Sequence, residues 1–348
     1  MTFKVGIPRA LFYHEFSVLW QTFFDCLNAE VIVSGETNKL TVDLGAARVV
    51  EEACLPVKIY FGHVAQLPLQ KLDYLFIPRL VSIEKKTYIC PKIMGLPDML
   101  NASGLAVPPL IKPVLNLVSR NSYEDFLREI GRFFGQDISR IKRAWQSGLQ
   151  EQKKHESALL GDVNQAVNNT GSVAQDKLTI LLLGHQYMIH DRHINLNLLE
   201  KLKLYGCDIL LPCHISKETQ AALVKKLPKS MFWSHGRVLL GSAFYFSSLP
   251  GPKGVIILSS FGCGIDSFVV NMVIRYLNKA KIPSLSITLD EHTGEAGIDT
   301  RVEAFFDMLC CRRIKDENYF SAYGQFLGHA EGAFGVSWAD SYHAAPHK

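Results

Sequence analysis

No uncharged run in this 348-residue chain is long enough to cross a bilayer. Its first residues, MTFKVGIPRALFYHEF, lack the charged start, continuous apolar stretch and small-residue cleavage site of a signal peptide. A cytoplasmic protein with no membrane partner is expected. Excess charge of either sign is scarce as well: 37 Lys plus Arg face 33 Asp plus Glu, and a net charge of +4 leaves no footprint for nucleic acid. The eight cysteines form no C-x-x-C unit and no dense regular spacing. That pattern argues against a secreted disulfide framework and for thiols or metal ligands in a reducing compartment. A complete G-x-G-x-x-G and a G-x-x-x-x-G-K-S/T loop are both absent, so the short GCGID turn is left as a weak signal for a nucleotide or phosphate.

What is present is ordinary globular material, 48% hydrophobic and 20% charged, enough for two cores of typical size. KVGIPRALFYHEF reads as a short strand and a Gly/Pro turn feeding a helix with Leu19, Phe23 and Leu27 at helical spacing. AEVIVSG is a second strand, VDLGAARVVEEACLPVK a helix through about Val50 that ends near Cys54 and Pro56, and DYLFIPRL a third, buried strand. From Gly148 to Asp176 the chain turns polar and then Asn/Gly/Ser-rich, a helix followed by an exposed connector. KLTILLLGH restarts the alternation, with the helix NLNLLEKLKLYG ending at Gly206 and further strands CDILLP, GVIILSS and SLSITLD. The expected fold is α/β, with two Rossmann-like, doubly wound parallel-sheet domains facing a shared cleft. Residues 1–160 form the first and 176–318 the second, with 319–348 as a docked or disordered tail.

Three cysteines, Cys54, Cys90 and Cys263, each stand within two residues of a Pro or Gly, in ACLPVK, YICPKI and FGCGID. Most free cysteines are packing thiols. A thiol at a Pro- or Gly-shaped turn, however, can approach a metal that a buried helical Cys could not reach. Cys263 follows a strand and precedes an apolar helix, so its sulfur faces that helix's positive end, and Gly262 and Gly264 leave free N–H donors and close access around it. One metal site gathered from three loops suits an iron–sulfur cluster, or a zinc ion completed by one His. Cys26, Cys207 and Cys213 read as core thiols, and the adjacent Cys310 and Cys311 point in different directions and make poor joint ligands.

LDEHTGEAGIDTR, directly after a strand, offers Glu291 or His292 as a proton donor near the metal and Arg301 as a carboxylate partner that fixes the loop. The structural alternative is a solvated helix N-terminus capped by acids. His185, Tyr187 and Asp191 in GHQYMIHDRHIN are candidates for the layer around the metal ligands.

Together GIPRALFYHEF, EEACLPVKIYFGHV, FIPRLVSIEKKTYICPKIMGLPD, SSFGCGIDSF and DEHTGEAGIDTR resemble the CoA-substrate-specific enzyme activase-related proteins. These are relatives of the iron–sulfur component of 2-hydroxyacyl-CoA dehydratases and of double-cubane cluster proteins. The resemblance runs from Lys4 to about Leu309. It implies an oxygen-sensitive protein in which Cys54, Cys90 and Cys263 hold a [4Fe-4S] cubane, or a homodimer sharing an [8Fe-9S] double cubane through a bridging sulfide. It also implies a separate ATP-hydrolysing iron–sulfur activator of the actin/Hsp70-like superfamily that delivers low-potential electrons. The implied chemistry is reduction of a small substrate or dehydratase-type chemistry, with a non-catalytic relay, scaffold or zinc-binding subunit as the alternative. No basic, aromatic-lined segment marks a CoA site.

Overall fold

The computed structural model describes residues 2–119, 122–168 and 177–314, the side chains of 161–168 and 311–314 excepted. The first half runs β1 (Lys4–Ile7), α1 (Tyr13–Cys26), β2 (Glu30–Val33), α2 (Lys39–Ala46), α3 (Leu55–Gln66), β3 (Tyr74–Phe76) and β4 (Arg79–Ser82). It continues with α4 (Pro91–Met94), α5 (Leu96–Ala102), β5 (Leu110–Ile111), β6 (Val114–Asn116), α6 (Ser122–Phe134) and the long α7 (Ile138–Asn168). The second half opens with β7 (Thr179–Leu183), α8 (Gln186–Ile189), α9 (Leu198–Leu204), β8 (Asp208–Leu210), α10 (Lys217–Val224) and α11 (Ser234–Ser248). It closes with β9 (Lys253–Ser260), α12 (Gly264–Lys279), β10 (Ser284–Leu289) and α13 (Glu295–Ile314).

Two four-stranded sheets, both wholly parallel, have the orders β2-β1-β3-β5 and β8-β7-β9-β10. In each, the first strand lies in the middle and the chain winds outward on both sides, which makes this a Rossmann-like α/β protein. Strands buried on both faces explain the unbroken apolar runs: Ile180 to Leu183 and Val255 to Leu258 are nearly or fully inaccessible. One apolar cluster runs from Val5 through Leu182 and Leu258 to Leu309, so it joins the two sheets, and a second lies against the outer face of the second sheet around Phe246 and Val273. Phe23, Phe24 and Phe61 are fully buried, each contributing about 1.5–3 kcal/mol by leaving water. The α2–α3 contact is backbone to backbone, since a Cβ on Gly62 would sit 1.8 Å from the Thr41 carbonyl oxygen.

Several elements differ from the sequence reading. DYLFIPRL is not one strand: Pro78 has no N–H for the ladder, so β3 stays in the first sheet and β4 pairs with β6 in a separate two-stranded sheet. No helix ends near Cys54. Instead α2 stops at Ala46, and α3 begins directly after Cys54 with Pro56 in its first turn, where a proline costs no hydrogen bond. Cys26 is exposed and not a core thiol. The buried face of α1 is carried by Leu19, Trp20, Phe23 and Phe24, and Cys26 lies about a quarter-turn from the middle of that face. Cys207 and Cys213 are half-buried against the main cluster. The polar segment from Gly148 is helical to Asn168, while the rest of the expected connector, the tail 319–348 and the Cys311 side chain lie outside the described residues. Among the described residues no helix is long and apolar enough to cross a membrane.

Candidate metal centre

The three Pro- or Gly-flanked cysteines share one structural position: Cys54, Cys90 and Cys263 are the residues immediately before α3, α4 and α12. Their carbonyls accept the first helical hydrogen bonds, from Val57 N at 2.9 Å, Ile93 N at 3.0 Å and Ser267 N at 3.1 Å. Pro56 and Pro91 pre-set the backbone of two of these helices. For the third, Gly262 takes φ +75°, a left-handed turn that brings the strand end against the Cys54 loop, where a Cβ would lie 3.4 Å from the Glu52 carbonyl oxygen. Gly264 has open space around its Cα, so no steric demand explains it.

All three cysteines line a single small cavity with His185, Tyr187 and His235. Cys54 is buried and the other two are half-buried. Burial, followed by the neighbouring Cys263, pushes the Cys54 thiol up to about 11, although the Val57 N–H and the Lys92 charge pull the other way. Cys90 is also raised, by burial first, against the N–H groups of Lys92 and Ile93. Without a metal these thiols keep their protons, and a metal would have to displace them.

Lys92, which the sequence reading passed over, fastens the three loops. Its ammonium donates to the Glu52 carbonyl at 2.8 Å and to the Gly262 carbonyl at 3.1 Å. Those carbonyls stand two residues before Cys54 and one before Cys263, and Lys92 itself stands two after Cys90. A single side chain therefore sets the spacing of all three and adds a positive charge beside them. Ser260 adds a second tie, with its Oγ accepting from Leu55 N at 3.2 Å.

His185 Nε2 lies 2.7 Å from Asp266 Oδ1, both groups being buried, and Asp266 N donates to Cys263 Sγ at 3.5 Å. Burial opposes a charge on His185, but the carboxylate of Asp266 outweighs it and raises the imidazole to about 10. Their ligand-type atoms and the Cys263 sulfur lie within 4.8 Å of one another. His235 enters from α11 and pairs with Glu15 Oε1 at 3.1 Å. Nothing in the string WSHGR marks it, because its role comes from packing against the first turn of α1, 220 residues away.

The other candidates fall outside the cavity wall. Glu291 forms an ion pair with the buried Lys58 on α3; burial would raise its carboxyl, but the Lys58 hydrogen bond more than offsets this and holds it ionised. His292 is exposed, with its backbone N–H on Asp290. Asp191 is buried and accepts from Thr37. Among the described residues Arg301 has no carboxylate within ion-pair distance; it donates to the Ser286 carbonyl, because α13 folds back along β10 and brings the guanidinium to that strand's backbone.

Residues 4–215 match the model of the CoA enzyme activase uncharacterised domain. The chain belongs to this family. Residues 250–309 are similar to the 2-hydroxyglutaryl-CoA dehydratase D-component. A search of curated proteins finds no match. The activase-domain match contains Cys54, Cys90 and His185, and the dehydratase-like region contains Cys263, Asp266 and Glu291, so the cavity is built from both matched regions. His235 lies between them. The pair of matches points to a 2-hydroxyacyl-CoA dehydratase-type system.

The donor set fits an iron–sulfur group: three sulfurs, a nearby lysine charge, and turns of Pro and Gly that let inorganic atoms approach. The space is tighter than the chemistry. The cavity encloses about 20 Å³, about the room of one water. As the loops stand it would take a single ion, and a cubane only with the loops drawn apart.

Proposed function

We propose that this activase-domain protein is an iron–sulfur component of a 2-hydroxyacyl-CoA dehydratase-type system, with Cys54, Cys90 and Cys263 as the cluster ligands. The observation that carries this reading is that three cysteines, each heading a helix, line one cavity and are tied together by Lys92. When bound, such a cluster supplies one-electron chemistry at low potential, with one iron left without a cysteine. The chain's own residues do the rest. Lys92 offsets thiolate charge, the first-turn N–H groups of the three helices donate toward sulfur, and Tyr187, Val57 and Ile265 exclude water.

The electrons come, on this reading, from a separate ATP-hydrolysing activator, and two copies of the chain share a double cubane. Phe261 and Phe268, which flank Cys263 and are 69% and 61% exposed, suit such a partner face. A cytoplasmic, reducing compartment suits the free thiols. The second reading is a single zinc held by the three thiols and His185, favoured by the small cavity and by the closeness of His185 to Cys263.

Iron, sulfide and zinc content of protein purified without oxygen, with the EPR spectrum of the reduced sample, decides between them. About four irons per chain, lost in Cys263→Ala, is the expected result. One zinc per chain with no charge-transfer absorption would establish the second reading, and neither metal would end both.

A further inference from the structure

Two segments far apart in the sequence meet against the wall of the cysteine cavity. The Tyr88 N–H donates to the Phe232 carbonyl at 2.8 Å, and the Tyr88 carbonyl accepts from Ser234 N at 3.0 Å, which makes a parallel bridge between Tyr88 and Trp233. The buried hydroxyls of Ser234 and Thr87 are 2.7 Å apart, and Arg237 donates to the carbonyls of Met231 at 2.8 Å and Lys86 at 3.2 Å. These bonds hold the two loops in one register. Cys90 stands two residues after Tyr88 and His235 three after Phe232, and both line the cavity. At about 3.3–3.6 Å per residue, the junction is within roughly 10 Å of the cavity wall along either segment.

The side chains shown to solvent here follow from the pairing. Phe232 is 48% exposed and Tyr88 38%. Because the bridge is parallel, Lys85 and Lys86, which precede Tyr88, and Lys229, which precedes Phe232, gather at the same end of it. Lys225 and Lys226 extend the row at the end of α10. All five lysines are exposed, and their ammonium groups have no ion-pair or hydrogen-bond partner among the described residues. The acid next to them in the sequence, Glu84, lies 3.9 Å from Arg237. Five cations outnumber the net charge of +4 on the whole chain, so the remainder balances slightly negative.

Exposed aromatic side chains bordered by charge of one sign have the anatomy of a protein contact, and that sign sets the charge of the partner. None of these residues lines the cysteine cavity or the chamber of about 540 Å³ beside it, whereas a small anion binds where it is enclosed. We propose that this surface docks an acidic electron-carrying protein, with Phe232 and Tyr88 in the apolar centre of the contact and the lysines meeting its carboxylates. It is a face separate from Phe261 and Phe268, which flank Cys263. Docking needs no metal. Its use for electron entry, in which one electron leaves the partner's reduced centre and enters the group held by Cys90, rests on the iron–sulfur reading.

The test measures binding of an acidic two-cluster ferredoxin to the full chain, prepared metal-free and after iron loading, with iron content read on the same samples. The dissociation constant should rise about tenfold or more between about 20 and about 300 mM NaCl. At the lower salt, Lys85→Glu with Lys86→Glu, and Lys229→Glu alone, should each weaken binding about tenfold. Phe232→Ala should weaken it by a similar factor at both salts, since apolar contact is not screened. Lys71→Glu with Lys279→Glu, exposed at the amino ends of the two sheets, changes the net charge as much as the Lys85/Lys86 pair and should leave binding unchanged. Near-ultraviolet circular dichroism checks that each variant is folded. No binding at low salt, unchanged binding in the Lys85/Lys86 variant, equal weakening by the Lys71/Lys279 pair, or tighter binding of polyuridylate than of ferredoxin would overturn the proposal. Binding by metal-free protein that never loads iron would uphold the docking and end the iron–sulfur reading, while iron loading without binding would do the reverse.

Discussion

The two halves of the molecule deliver their cysteines to the same cavity by different local means. In the first half Cys54 and Cys90 head helices whose opening turns contain Pro56 and Pro91. In the second, Cys263 follows β9 directly and relies on the left-handed turn at Gly262. Proline lowers the entropy lost when a turn is ordered, whereas glycine raises that loss and permits a close approach. The first half therefore supplies pre-set turns. The second supplies contact, reaching across to Glu52 and the Cys54 loop.

Acid should separate the halves most. His14 and His63, both in the first half, are each held down to about 4, burial being the largest cause. The unfolded chain takes up these protons below about pH 6.5 and the folded chain only near 4, so stability falls as pH drops through that window and is insensitive to these groups above it. The loss is up to about 3 kcal/mol per histidine. Urea unfolding at steps from pH 7 to pH 4.5 reads it, and His63→Asn should flatten the slope.

Breaking the tie between the halves comes next. Lys58, 5% exposed on the helix that Cys54 heads, pairs with Glu291 beyond β10. Lys58→Met should cost roughly 3 kcal/mol because Glu291 is left without its cation, while adding Glu291→Leu should restore much of that. A chemical-denaturation cycle over the four proteins tests it, and equal stability of the single and double variants would place the cost elsewhere.

The finest test sets glycine against proline. Gly262→Val puts a β-branched residue at positive φ and a Cβ near the Glu52 carbonyl, so a loss of about 1–3 kcal/mol and weaker metal retention against a chelator are expected. Pro56→Ala should cost under about 1 kcal/mol and leave retention nearly intact. Similar losses for both would erase the distinction between pre-set turns and close contact.

Much of the local structure was legible because it is written at short range. The apolar runs TILLL and VIILSS can only be strands buried on both faces, and Gly206, at φ +66°, follows the end of α9 where the sequence reading placed a helix stop. Pro and Gly beside Cys54, Cys90 and Cys263 marked them as turn cysteines. The same prolines misled where their effect depends on position: Pro56 opens a helix that was read as ending there, and Pro78 splits a strand that was read as whole. Spacing alone does not tell a helix's first turn from the residues after its last.

By itself the sequence determined the parallel α/β alternation, the three turn cysteines and the absence of nucleotide loops, since each depends on neighbours a few residues apart. Only the tertiary structure decided that Cys54 and Cys90, 36 positions apart, and Cys263, 173 positions beyond Cys90, close onto one cavity. It alone gave Lys92 its two carbonyls, His235 its place in the wall, and Glu291 a lysine partner on another element. The physical reason is that hydrogen bonds and ion pairs act over a few ångströms of space, and only the packing of the two sheets brings residues so distant along the chain within that range.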